Sequence, residues 1–148
     1  MRLDADTLLA CADVPSWAEQ LAAEDFADEQ SLIDAADRLA GDWTDDEVVR
    51  GLAAHPRIGD KAVSLKVRGW SAQEQAGVRP SDELVEVNAA YEQRFDRVFL
   101  ICATGLSGDE IIAAARQRLG NDDATEAAVV KDELRKIALL RLRKALHP

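Results

Sequence analysis

The stretch Asp123–Leu146, DATEAAVVKDELRKIALLRLRKAL, decides the fold. Laid out at about 100° per residue, Ala127, Val130, Leu134, Ile137, Ala138 and Ala145 form one apolar arc, which is the pattern of a helix with one face in a core. Arg141 falls in the middle of that arc, whereas Arg143, two residues on, points to the opposite side. A guanidinium on a core-facing stripe is costly unless it meets an anion with good geometry. Two readings of Arg141 therefore stand: a buried pair with an internal Asp or Glu, or recognition of a substrate carboxylate by a bidentate fork.

Upstream, the chain reads as further helices joined by short turns. Asp4 to Ala12 and Pro15 to Glu24 are two short candidates, the second opened by a proline at a first-turn position. Leu32, Ile33, Ala36 and Leu39 recur at helical spacing from Ser31 to Ala40, and Gly41 follows as a stop. Thr44-Asp45-Asp46-Glu47 and Ser107-Gly108-Asp109-Glu110 are capping boxes, the first opening a helix that Pro56 ends and the second a helix that closes at Gly120. Between them, Lys61 to Gly69 is less regular, and Ser81 to about Ile101 is long and amphipathic, with Leu84, Val87, Tyr91, Phe95 and Val98 at steps of three and four. No run alternates with period two for long enough to predict a sheet, and no internal repeat is present. The expectation is an all-α fold, a single compact domain over residues 1–148 of about seven to nine helices.

Composition narrows the partners. The chain has 148 residues, 47% of them hydrophobic, and a net charge of −10. Phosphate backbones and anionic membranes recruit Lys- and Arg-rich surfaces, so neither nucleic acid nor membrane is an expected partner. A small anionic substrate would need locally supplied positive charge, which directs attention back to Arg141. No apolar run is long enough for a membrane span, and MRLDADTLLA lacks the layout of a signal peptide. The two cysteines, Cys11 and Cys102, have no metal-knuckle or disulfide spacing, so a reducing cytoplasmic setting is expected. Cys102 lies in the apolar run Val98–Ala103 and reads as a small buried thiol rather than a nucleophile.

Of the two histidines, His147 is penultimate, which leaves His55 as the candidate imidazole acid or base. Its place at a helix end before Pro56 fits either a surface histidine favoured by the helix dipole or a ring projecting into a site. Metal binding needs several His, Cys or carboxylate ligands at short spacing, and His55 has no such companions. No glycine-rich phosphate loop follows a strand, so no metal and no nucleotide cofactor are expected. GWSAQEQAGV, residues 69–78, raises its own choice, because Ser71-x-x-Glu74 is a third capping-box pattern and also sets a hydroxyl, an acid and the Gln75 amide within five positions. A helix N-terminus can do both, since its free N–H groups and positive dipole end suit an anionic ligand.

Four ordered motifs then converge: HPRIGDK at His55–Lys61, WSAQEQAGV at Trp70–Val78, FLICATGLS at Phe99–Ser107, and RLGNDDATE at Arg118–Glu126, followed by KIALLRL at Lys136–Leu142. Together they resemble the 2-oxo-4-hydroxy-4-carboxy-5-ureidoimidazoline (OHCU) decarboxylase family of urate catabolism. The resemblance covers most of the chain from about Ile33 onward. It implies an all-α, commonly homodimeric, cofactor-independent carboxy-lyase that converts a small anionic imidazoline to (S)-allantoin, with urate oxidase and hydroxyisourate hydrolase as pathway neighbours. It assigns His55 and Glu74 as catalytic. Pro56, Ser71, Gln75, Ile101 and Arg141 become substrate-binding positions, with helix phase favouring Arg141 over Arg143 as the carboxylate anchor. Two alternatives remain open at this level: a decarboxylase or lyase for another purine-derived acid, and a non-catalytic helical interaction module.

Overall fold

The computed structural model describes residues 1–55 and 81–148. Pro56, the loop 57–60, the stretch 61–69 and all of GWSAQEQAGV lie outside the described residues. Among the described residues there are seven helices and no strand, as the apolar spacing requires. They are α1 (Ala5–Cys11), α2 (Pro15–Ala22), α3 (Glu29–Ala40), α4 (Asp45–Ala53), α5 (Asp82–Phe95), α6 (Gly108–Arg118) and α7 (Asp123–Leu146). The chain divides into two compact units, Met1–Ala54 with Lys131–Pro148, and His55–Val130.

In the first unit, side-chain caps set the helix starts. Asp4 and Asp28 accept from the amides of Thr7 and Ser31, each at 2.7 Å. The Asp28 cap moves the start of α3 to Glu29, two residues earlier than apolar periodicity suggests, because a carboxylate satisfying a first-turn amide extends the helix N-terminally of its core-facing residues. Thr44 and Glu47 close a reciprocal capping box at α4. The Glu47 carboxylate also accepts from the Ser16 hydroxyl of α2. These bonds hold the Glu47 pKa below its usual range, led by the Ser16 contact.

The core of this unit gathers Leu8, Val14, Trp17, Leu21, Leu32, Ala36 and Trp43 with Leu134, Ala138 and Leu142 of α7, all buried. Trp17 donates its indole N–H to the Ala36 carbonyl at 3.0 Å and packs edge-on to Trp43 at 5.8 Å. Among the described glycines, Gly51 of α4 is the one where an added Cβ would come nearest another residue. A Cβ there would sit 2.9 Å from Leu134 Cδ2 and 3.6 Å from Val14 Cγ2. Gly51→Ala should therefore lose stability despite a gain in helix propensity of ~0.5–1 kcal/mol, since overpacking costs ~1–3 kcal/mol. A net loss of about 1 kcal/mol in urea unfolding is expected, and an equal gain would show that Leu134 yields freely.

In the second unit, α5 buries Leu84, Val87, Tyr91 and Phe95 against Ile111, Ile112 and Ala115 of α6, with Phe99 and Ala103 completing the cluster. Tyr91 stacks with Phe95 at 4.8 Å and meets Phe99 edge-on at 5.1 Å. Ser107 and Glu110 form the expected capping box of α6. The helix expected to run from Ser81 to about Ile101 instead stops at Phe95, with Asp96 in the left-handed region at φ 54°. Aspartate tolerates that conformation. The apolar run that follows has no polar face for a surface helix, and it continues as a non-helical segment into the core.

This correction carries another. Cys102, expected to be a buried thiol, is only half-buried, because the segment leaves the helical phase and Phe99, Leu100 and Ala103 take its buried positions; the deeply buried thiol is Cys11. The last helix, by contrast, runs over Asp123–Leu146 as read from its periodicity.

Candidate functional site

Arg141 is where the helix phase put it, on the buried face of α7 at 2% exposure, and it is one of the largest fully buried side chains among the described residues. Val130, Leu134, Ile137 and Ala138 of the same arc are buried with it, while Arg143 is exposed. A guanidinium is a planar fork of donors, a geometry that suits a carboxylate.

His55 follows the end of α4, where Ala53 is the last helical residue and Ala54 the cap. It is half-buried. Ile101 belongs to the second unit, half-buried and packed against that unit's apolar cluster. Pro56, Ser71, Glu74 and Gln75 lie outside the described residues. Among the described residues, no group of three or more His, Cys, Asp or Glu side chains could hold a metal ion. No helix there is long and apolar enough to cross a membrane.

The most developed polar arrangement in the second unit is one to which the sequence reading gave no role. Arg118, the last residue of α6, and Glu126, in the first turns of α7, are 6% and 0% exposed. Arg118 Nη2 donates to Glu126 Oε2 at 2.6 Å, and its Nε lies 3.1 and 3.0 Å from the two carboxylate oxygens. The remaining acceptor capacity of Glu126 is used by the Tyr91 hydroxyl and by Asn121 Nδ2 at 3.2 Å. Arg118 Nη1 donates to the Leu100 carbonyl at 2.7 Å, and the guanidinium lies 4.6 Å from the Phe99 ring centroid.

Burial by itself would raise the Glu126 pKa, but the Arg118 and Tyr91 hydrogen bonds and the Arg118 charge outweigh it and hold the carboxyl below its usual range. Burial, and then the bond to Glu126, pushes the Tyr91 phenol well above its usual value. The motif RLGNDDATE is thereby explained by structure: Arg118 and Glu126 pair, Asn121 supports the carboxylate, and Asp122 caps α7 by accepting from the Thr125 amide at 2.8 Å. A signal for this existed. Glu126 precedes Val130 and Leu134 by four and eight residues, so it lies on the same stripe as Arg141.

Comparison with solved structures supplies the fold class. The chain aligns with a crystal structure of OHCU decarboxylase in the presence of (S)-allantoin at a TM-score of 0.81, covering 97% of this chain and 99% of that one, at 24% identity. At that identity the likeness speaks for the fold, an all-α one. Among curated proteins, the chain is 32% identical over 119 residues to a 2-oxo-4-hydroxy-4-carboxy-5-ureidoimidazoline decarboxylase of Amia calva, covering 72% of this chain and 68% of that protein. It is 26% identical over 138 residues to a uric acid degradation bifunctional protein of Bacillus sp. (strain TB-90), of which it spans only 27%. Residues 4–143 match the family model described as OHCU decarboxylase. The chain belongs to the OHCU decarboxylase family, a family of carboxy-lyases.

Proposed function

We propose that this protein decarboxylates 2-oxo-4-hydroxy-4-carboxy-5-ureidoimidazoline to (S)-allantoin in urate catabolism, without a cofactor, as one domain over residues 1–148. The family match over residues 4–143 is the observation that carries the reading. The burial of Arg141 supports it, because a chain of net charge −10 needs a local cation to hold an anionic substrate.

In this reading Arg141 anchors the anionic end of the substrate. Glu74 and Gln75 hold the ureido or ring amides, Ser71 caps its helix and touches ligand, and Pro56 and Ile101 pack beside it. Cleavage of the carbon–carboxylate bond releases carbon dioxide and leaves its electron pair in the conjugated ring, which then takes a proton on one face. His55 handles the substrate hydroxyl or that proton, as a positioned imidazole can. Orientation is the main contribution, since one face must be presented to the donor. The same reading makes the protein cytoplasmic and homodimeric, with urate oxidase and hydroxyisourate hydrolase supplying its substrate. The names of the bifunctional uric acid degradation relatives support that context.

The test is a coupled reaction. Fresh urate with urate oxidase and hydroxyisourate hydrolase should form (S)-allantoin faster when this protein is added, and the product should be optically active. A folded protein that gave no acceleration would favour a non-catalytic helical module. A racemic product at full enzyme would remove the orientation argument. Turnover of another purine-derived acid in place of this one would keep the decarboxylase and change the substrate.

A further inference from the structure

The Arg118–Glu126 pair does more chemistry than packing requires. Apolar side chains of similar volume can replace a buried ion pair without loss of stability, so a retained pair invites a geometric reason. Its members sit at helix ends or on helices, at α6, α7 and Tyr91 of α5. Two partners do not: Asn121, in the short turn between α6 and α7, and Leu100. Leu100 belongs to the non-helical segment between α5 and α6, and its carbonyl receives Arg118 Nη1 at 2.7 Å.

That segment has no helix to fix its backbone, so it is located by what its residues touch. Phe99 is 1% exposed, lying under the Arg118 guanidinium and edge-on to Tyr91. Ala103 is buried at 4% and its carbonyl accepts from the Leu106 amide at 3.0 Å. Gly105 then turns the chain at φ +82°, a conformation other residues adopt at a cost. Between these anchors Ile101 and Cys102 stand half-buried, as a rim held at both ends.

We propose that Arg118 is a positioning residue for the substrate pocket: paired with Glu126, it holds the Leu100 carbonyl and so sets where the adjoining Ile101 meets the bound imidazoline. The proposal rests on the decarboxylase reading above, in which Ile101 lines the pocket. A guanidinium suits the task because it can bind a carboxylate through two nitrogens and still spend a third on a carbonyl. An ammonium retains the charge pairing with Glu126 and gives up that planar reach.

The experiment compares Arg118→Lys with Tyr91→Phe. Tyr91→Phe removes one hydrogen bond to Glu126 and leaves the Leu100 tie intact, so it serves as the stability control. At a temperature where circular dichroism shows both fully folded, Arg118→Lys should raise KM about tenfold with kcat within about threefold, because a displaced rim weakens ground and transition state alike. Tyr91→Phe should keep both constants within about threefold of the parent. Amide hydrogen exchange at residues 100–105 should quicken in Arg118→Lys while α5 and the body of α6 stay protected.

A merely structural role reads differently, since lost folded enzyme lowers apparent kcat and leaves KM where it was. That pattern, or unchanged exchange at residues 100–105, overturns the proposal. Should Arg118→Lys not fold, Glu126→Gln, of the same shape without the charge, is read in the same two assays against the same outcomes. Parent protein that fails to accelerate the coupled reaction removes the functional reading. Active parent with an Arg118→Lys variant of equal KM removes this one.

Discussion

His55→Ala is expected to remove nearly all of the acceleration of OHCU decay while leaving the helical circular dichroism unchanged. General acid–base catalysis by a positioned side chain is worth about 10²- to 10⁴-fold, or ~3–5 kcal/mol in the barrier. On the proposed roles the loss should fall in kcat more than in KM, since His55 would act on a proton in the transition state while Arg141 would hold the anionic end. The measurement is the rate above that of a protein-free control, read by optical rotation of the product. Retention of wild-type turnover by His55→Ala would remove the histidine from the chemistry. His55 follows the Ala54 cap of α4, so its replacement removes no helical residue.

The second large effect is on stability. Glu126→Ala leaves the Arg118 guanidinium and the Tyr91 hydroxyl buried without their carboxylate, and breaking a buried pair from one side costs ~3–5 kcal/mol. For a chain of this size each kcal/mol moves Tm by ~2–4 °C, so a fall on the order of 10 °C is expected. Replacing both partners, as in Arg118→Met with Glu126→Leu, should recover the part of that loss due to the unpaired guanidinium, with the Tyr91 hydroxyl still lacking its acceptor, while abolishing the tie to Leu100. The double variant thus separates stability from positioning.

A pH dependence follows from the same carboxylate. Its folded pKa is lowered from the ordinary value of 4.5, so the unfolded chain takes up the proton first as pH falls. The stabilisation is present in full above that ordinary value and is lost as pH drops through the folded one. Thermal unfolding of Glu126→Gln should therefore vary less with pH across the acid range than that of the parent. Parallel curves would assign the acid sensitivity to the exposed caps, among them Asp28 and Asp122, whose pKa values their hydrogen bonds to Ser31 and to the Thr125 amide also lower.

Much of the helical content was legible in advance because its causes are local. Capping boxes at Thr44 and Ser107, the proline opening α2 and the apolar spacing of α7 involve residues three to eight apart, so no tertiary partner is needed to recognise them. The errors came where a distant contact decided. Tyr91 and Phe95 point to a helix that continues, yet Asp96 turns left-handed and Phe99 leaves the helical phase to reach the core. The half-burial of Cys102 has the same cause.

The sequence by itself determined the all-α class, the depth of Arg141 and the family, since helix period and motif order survive without knowledge of contacts. Only the tertiary structure decided that Arg118 answers Glu126, that Tyr91 and Asn121 complete the pair, and that the spare guanidinium nitrogen takes the Leu100 carbonyl. Periodicity shows that a charge faces inward. Which opposite charge it meets depends on how segments 8 to 35 residues apart are brought together, and that is settled by packing.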